Sequence, residues 1–140
     1  MDSRFKRCLE ERKLVRMSVQ LDLVKKELDE AENDLISAEK SLVEDNPKWA
    51  TVQAYYSMFH VAKALVLSKG YREKSHICLS IALKSLFVDK LEQRHYEHFR
   101  DCMGLRMDAD YGSVYSSETA RDVIVWAREF LVVAKKILKL

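Results

Sequence analysis

Glycine and proline are almost absent, at three and one in 140 residues. So few breakers leave little room for the turns of a many-stranded sheet and favour a few long helices. No apolar run approaches the roughly 20 residues of a membrane span, so no membrane association is expected. Neither sign of charge dominates: 24 basic against 22 acidic side chains gives +2. That excludes the strongly basic balance of a dedicated DNA binder but leaves room for a local basic patch. The cysteines, Cys8, Cys78 and Cys102, are odd in number and far apart, with no CxxC pair. Neither a zinc site nor a disulfide framework is expected. All three read as small buried hydrophobes of a protein in the reducing cytoplasm. The N-terminal stretch from Met1 to Lys13 lacks the apolar core of a signal peptide. No metal-binding motif, phosphate loop or nucleophile elbow is present, so no metal or cofactor is expected.

What the chain does have is apolar surface and periodicity. Its hydrophobic fraction is 48% and its charged fraction 33%, the profile of a folded helical protein. Residues 1–140 are read as one domain, long enough to bury a core. Leu14, Met17, Leu21, Val24, Leu28, Ala31, Leu35, Ala38 and Leu42 recur at alternating three- and four-residue steps. That spacing makes one helical stripe about 42 Å long. A coiled coil would use such a stripe, but Ala31 and Ala38 suit close packing inside a bundle. Residues 2–12 form a separate short helix or extend this one. Asn46-Pro47 pairs a capping residue with a first-turn proline, opening a second helix that stops at Gly70. Residues 70–74 read as a loop. Ser75 caps a third helix, apolar almost all round through Ile77, Leu79, Ile81, Leu83, Leu86 and Phe87, hence well buried.

A fourth helix is expected from Lys90 to Arg106, and the segment from Asp108 to Gly112 is turn chemistry. Ser116 or Ser117 caps the last helix. It carries one stripe through Ala120, Ile124, Ala127, Leu131, Ala134 and Leu138, and a second through Val123, Trp126, Phe130, Val133 and Ile137. So broad an apolar surface implies burial at the bundle centre or in a dimer interface, and a homodimer is expected. The fold class is therefore all-α: an antiparallel up-and-down bundle of about four to five helices.

Function is sought where polar groups interrupt apolar seams. Gln53, Tyr56, His60 and Lys63 share one stripe beside the core stripe Val52, Tyr55, Phe59, Ala62 and Val66. A phenol, an imidazole and an ammonium in a row suit a phosphate or a base. They equally suit a flank whose apolar stems cover the core edge. His76 opens the third helix behind Lys74 and Ser75, where free backbone N–H groups and Lys74 favour an anion. The bland alternative is an ordinary capping turn. Arg72 precedes His76 by a spacing reminiscent of a nuclease Arg/His pair, but the two straddle a loop. Arg106 continues the inward line of Phe99 and Met103. It either pairs with Asp108 or Asp110 to pin the turn beside Tyr111, or serves as a phosphate ligand. His95 and His98 lie on one face near Glu92 and read as core or interface histidines rather than metal ligands.

Three motifs in order, Ala54-Tyr-Tyr-Ser-Met-Phe-His60, then Leu67-Ser-Lys-Gly-Tyr71 with Lys74-Ser-His76, then Leu105-Arg-Met-Asp-Ala-Asp-Tyr111, resemble those of the HEPN domain family. The name denotes higher eukaryotes and prokaryotes nucleotide-binding. The small stand-alone prokaryotic branch is the best match, over about residues 17–138, and the Ser116–Ala120 start of the last helix fits it.

The resemblance implies a dimeric helical bundle that acts with a minimal nucleotidyltransferase, as toxin and antitoxin or in stress response. It also implies metal-independent ribonuclease chemistry, with an Arg followed a few residues later by a His. Arg106 matches that Arg. The His position holds Tyr111, Gly112 or Ser113, and no His follows His98. A phenol with a pKa near 10 is a poor base at neutral pH. The expectation is therefore a nucleotide- or RNA-binding protein. Its phosphate-binding residues are Arg106, Asp110 and Tyr111, with Tyr56, His60, Lys63, Lys74 and His76. The rivals are a ribonuclease using His76 or His60 as its catalytic base, and a purely structural partner subunit.

Overall fold

The computed structural model describes residues 2–110 and 115–140, with the side chains of residues 105–110 outside that description. The chain runs α1 (Ser3–Glu10), β1 (Leu14–Arg16), α2 (Leu21–Val43), α3 (Pro47–Ser68), β2 (Tyr71–Glu73), α4 (His76–Leu86), α5 (Gln93–Asp110) and α6 (Ser117–Leu138). It is an all-α bundle with one small two-stranded sheet. α3 lies at its centre, packed on α2, α4, α5 and α6. Twelve of its residues are buried, from Ala50 and Thr51 to Leu67.

The start and stop signals work as their chemistry dictates. Asn46 accepts from the Trp49 N–H, Ser75 from the Cys78 N–H and Ser116 from the Thr119 N–H, each satisfying an orphan donor of a first turn. Lys139 ends α6 in a left-handed conformation after Lys135 and Lys136, which complement the helix dipole.

The long stripe holds from Val24 to Ala38: Val24, Leu28, Ala31, Leu35 and Ala38 are all buried on α2. This is a bundle seam, since α2 packs against α3 and α6 of its own chain. At Ala31 the backbones approach closely enough for the buried Ser57 hydroxyl of α3 to donate to the Ala31 carbonyl at 2.7 Å. The first turns of the expected helix are not helical. Leu14–Arg16 pairs antiparallel with Tyr71–Glu73, in the register Leu14 to Glu73, Val15 to Arg72 and Arg16 to Tyr71. Leu14 is buried from a strand, and Leu21 is 53% exposed. Local spacing cannot reveal a partner strand more than fifty residues away, so residues 70–74, expected as a loop, hide the other half of the sheet. Gly70 makes the link. Its φ is +83°, and a Cβ there would lie 3.0 Å from the Met17 carbonyl oxygen, whose own N–H donates to the Gly70 carbonyl at 2.9 Å.

Three further expectations are corrected. α4 is not buried all round, because Ile77 is 68% exposed. α5 continues through Asp110, so Asp108 to Asp110 are helical rather than turn. Cys8 and Cys78 are joined in a disulfide, with Cα atoms 5.9 Å apart, and only Cys102 is a free buried thiol. The breadth of α6 is also accounted for within one chain, since it packs on α3, α2 and α5. It therefore carries no argument for a dimer. No helix among the described residues is long and apolar enough to cross a membrane.

Candidate functional site

The polar residues of α3 face two different environments. Gln53, with its amide nitrogen turned to the Ser37 carbonyl, the Ser41 hydroxyl and the Trp49 carbonyl, ties α3 to α2 at 2.7–3.1 Å and is structural. Two turns on, His60 lies between two carboxylates of α2. Its Nδ1 is 2.6 Å from Glu27 Oε2 and its Nε2 is 3.5 Å from Asp34 Oδ2. Lys63 reaches Glu27 at 3.7 Å and Glu73 of β2 at 3.8 Å. A cleft of about 170 Å³ opens beside this cluster, with Lys26 and Arg72 among its walls.

Burial acts on each carboxyl, and the neighbours decide the result. Burial alone would raise Glu27, but the His60 hydrogen bond and the Lys63 charge hold it below the ordinary glutamate range. Burial raises Asp34, with His60 opposing only in part. Burial likewise raises Glu73 against the pull of Lys63. His60 and Lys63, expected to bind phosphate, thus meet carboxylates of their own chain. Glu27, Asp34 and Glu73 face these two side chains, while Lys26 and Arg72 add cations at the cleft. The signal was present in the sequence. Glu27 and Asp34 are seven apart on α2, along the edge of the buried stripe, where they must meet whatever α3 presents.

The second environment lies where α3, α4 and α5 meet. Tyr55 is fully buried, so its hydroxyl needs a partner. His76, the first residue of α4, supplies it, with Nδ1 3.1 Å from the phenol oxygen. The His76 ring packs on Phe59, centroid to centroid 4.5 Å. Tyr56 meets Tyr55 and Phe59 edge-on, at 5.3 and 6.1 Å, and Tyr55 stacks on Phe99 of α5 at 6.1 Å. Phe59 joins the two environments, because the Lys63 ammonium sits 5.5 Å from its ring centre. Sequence reading placed Tyr55 and Phe59 in the core stripe and missed that they hold His76. Lys74 is exposed, and its N–H donates to the Lys13 carbonyl at 2.8 Å. Arg72 belongs to β2 and lines the cleft near Lys63. Arg106 and Asp110 fall in the last turns of α5, but their side chains, and all of Tyr111, lie outside the described residues.

The paired histidines of α5 have a packing role. His95 stacks on Phe130 at 5.9 Å and His98 on Trp126 at 4.2 Å. His95 is 1% exposed, and neither ring nitrogen has a hydrogen-bond partner among the described residues. Burial pushes its pKa below the ordinary 6.5.

A central helix with a polar seam, wrapped by antiparallel helices, is the class this chain presents, and the likeness to known proteins narrows it. The HEPN domain family model matches residues 24–137, so the chain belongs to the HEPN domain family. It is 32% identical over 100 residues to a Methanocaldococcus jannaschii protein named "Putative toxin MJ0605", covering 69% of this chain and 75% of that one. It is 28% identical over 90 residues to "Putative toxin MJ0142" of the same organism, covering 63% and 61% respectively. The crystal structure of TT1696 from Thermus thermophilus superimposes with a TM-score of 0.70 over 81% of this chain and 96% of that one, at 18% identity. That last likeness concerns the fold alone.

Proposed function

We propose that this HEPN protein is toxin-like and binds an RNA or nucleotide phosphate at the surface where α3, α4 and α5 meet. The observation that carries this reading is the setting of His76. Its ring is fixed by the Tyr55 hydroxyl and by Phe59 at the first turn of α4, with Tyr56 alongside. A helix N-terminus offers N–H groups to an anion. Aromatic rings offer a stacking platform that tolerates any base. Lys74, one residue before the cap, adds a cation beside His76, and Arg106, in the last turns of α5, is assigned to the same ligand. Asp110 and Tyr111 complete the set that the family resemblance nominates. His60 and Lys63 leave the ligand set and become buttresses of α2 and β2. The names of the two relatives support a toxin-like role; a nucleotidyltransferase partner and a homodimer rest on the family resemblance alone.

The test is affinity for a labelled single-stranded RNA and for ATP. His76→Ala and Arg106→Ala each weaken binding about tenfold, the scale of one charge-assisted hydrogen bond. His60→Ala changes it less than about twofold, within the range of a surface effect. Unchanged affinity in both His76→Ala and Arg106→Ala would reject the site.

One observation favours a second reading. The Tyr55 hydroxyl orients the His76 ring as a third group orients a catalytic base. A ribonuclease using His76 would handle the 2′-hydroxyl proton, with Arg106 stabilising the phosphorane. Cleavage of mixed RNA that disappears in His76→Ala and persists in His60→Ala would favour it over simple binding.

A further inference from the structure

The family match begins at residue 24, so α1 and β1 stand ahead of it. This N-terminal segment grips residues 70–78 repeatedly. β1 pairs with β2, Phe5 meets Tyr71 edge-on at 5.3 Å, and Cys8 is bonded to Cys78. The bond crosses 70 residues of sequence and borders a surface groove. Cys8 and Cys78, each 4% exposed, line a groove of about 250 Å³ with Arg4, Arg7, Lys13 and Glu11. Arg4, Ile77 and Ile81 also line a neighbouring groove of about 270 Å³, which adds Lys84 and Arg100. Cations therefore outnumber the acids around the groove that Cys8 and Cys78 line.

We propose that Cys8–Cys78 is a thiol–disulfide exchange site whose reductant is a small thiol bearing carboxylates. The two sulfurs are not equivalent. Cys78 is the third residue of α4, its N–H donating to the Ser75 cap at 3.0 Å, so a thiolate there meets the positive end of the helix. Cys8 lies in the last turn of α1, where the dipole opposes a thiolate. The sulfur with the more stable thiolate leaves faster. The incoming thiolate therefore bonds to Cys8 Sγ. The Cys8–Cys78 bond breaks, and its electron pair leaves on Cys78 Sγ. A second equivalent of the same thiol attacks the mixed disulfide at its own sulfur, which frees Cys8 as thiolate and carries away the oxidised reductant. Overall the protein disulfide is reduced to two thiols, and two small thiols are oxidised to one disulfide. The step needs no ligand at His76.

The full chain, purified in air without reductant, is treated with reduced glutathione or with its diethyl ester at equal thiolate concentration. Peptide mapping by mass spectrometry follows the products. The starting protein shows the Cys8–Cys78 link and one titratable thiol after unfolding. The first adduct is a glutathionyl group on Cys8, and Cys102 stays unmodified in the folded protein. Glutathione reacts about threefold or more faster than its ester at low salt, since cations concentrate an anionic reagent. The advantage shrinks at about 1 M salt and in the double variant Arg4→Gln, Arg7→Gln, which leaves both cysteines in place. Three free thiols in the air-purified protein, a first adduct on Cys78, or equal rates for glutathione and its ester at low salt would each overturn the proposal.

Discussion

Glu27 touches both His60 and Lys63, and its depressed pKa means that the folded state favours its ionised form. Its contribution is present above the ordinary glutamate range and is lost as pH falls through the lower folded value. Glu73 has the opposite sign. Its raised pKa means that the folded chain holds its proton more tightly, so stability is highest below the ordinary range and declines as pH rises towards the folded value. Glu27→Gln is therefore destabilising by about 1 kcal/mol at pH 7, with the difference closing as pH falls. Glu73→Gln is neutral or slightly stabilising at pH 7. Urea unfolding of the two variants between pH 3 and 8 measures both slopes.

His95 carries the clearest internal cost. Its two ring nitrogens, without partners among the described residues, forgo hydrogen bonds worth roughly 1–3 kcal/mol of desolvation. Its depressed pKa lets the unfolded chain take a proton that the folded chain refuses, so stability falls as pH drops below 6.5 towards the folded value. His95→Leu is expected to raise the urea midpoint at pH 7 and to raise it further at pH 5.5. A drop at both pH values would show that stacking on Phe130 outweighs the orphaned nitrogens.

At the scale of elements, the N-terminal strand shows how one residue fixes a junction. Gly70 combines a φ of +83° with a Cβ position 3.0 Å from the Met17 carbonyl. Gly70→Ala is expected to cost about 1–3 kcal/mol, through backbone strain and through displacement of that carbonyl. Hydrogen exchange should localise the loss to residues 14–17 and 70–74, with α2 protected as before. Elements were legible where their signals are local. The Asn46, Ser75 and Ser116 caps and the Val24–Ala38 stripe all lie where spacing puts them. The β1–β2 pair and the Cys8–Cys78 bond were not legible, because each joins residues far apart in sequence. The packing of α1 and β1 on α4 and β2 brings them together.

The candidate site divides along the same line. Tyr56, His60, Lys63 and His76 stood out because each interrupts an apolar pattern, and all four lie at seams of the bundle. Which ones remain available for a ligand depends on what α2 presents to α3, and that is tertiary information. Glu27 and Asp34 occupy His60. Glu27 and Glu73 occupy Lys63. Tyr55 holds the His76 ring through a hydrogen bond at 3.1 Å. The family's late histidine is absent after Arg106, and both ring nitrogens of His60 face carboxylates of α2.

For the whole molecule, membership of the HEPN family and the toxin names of its relatives set the frame, and the separation of the two polar environments decides where to look within it. The proposed binding at the α3–α4–α5 surface would require His76 and not His60. The most direct measurement is the dissociation constant for one labelled single-stranded RNA, taken at fixed salt for the unaltered chain, His76→Ala and His60→Ala, with unchanged unfolding midpoints as the control for folding. The expected result is about a tenfold loss in His76→Ala and less than a twofold change in His60→Ala. Equal losses in both variants, or a loss confined to His60→Ala, would contradict the assignment and return the site to the carboxylate-lined seam of α2 and α3.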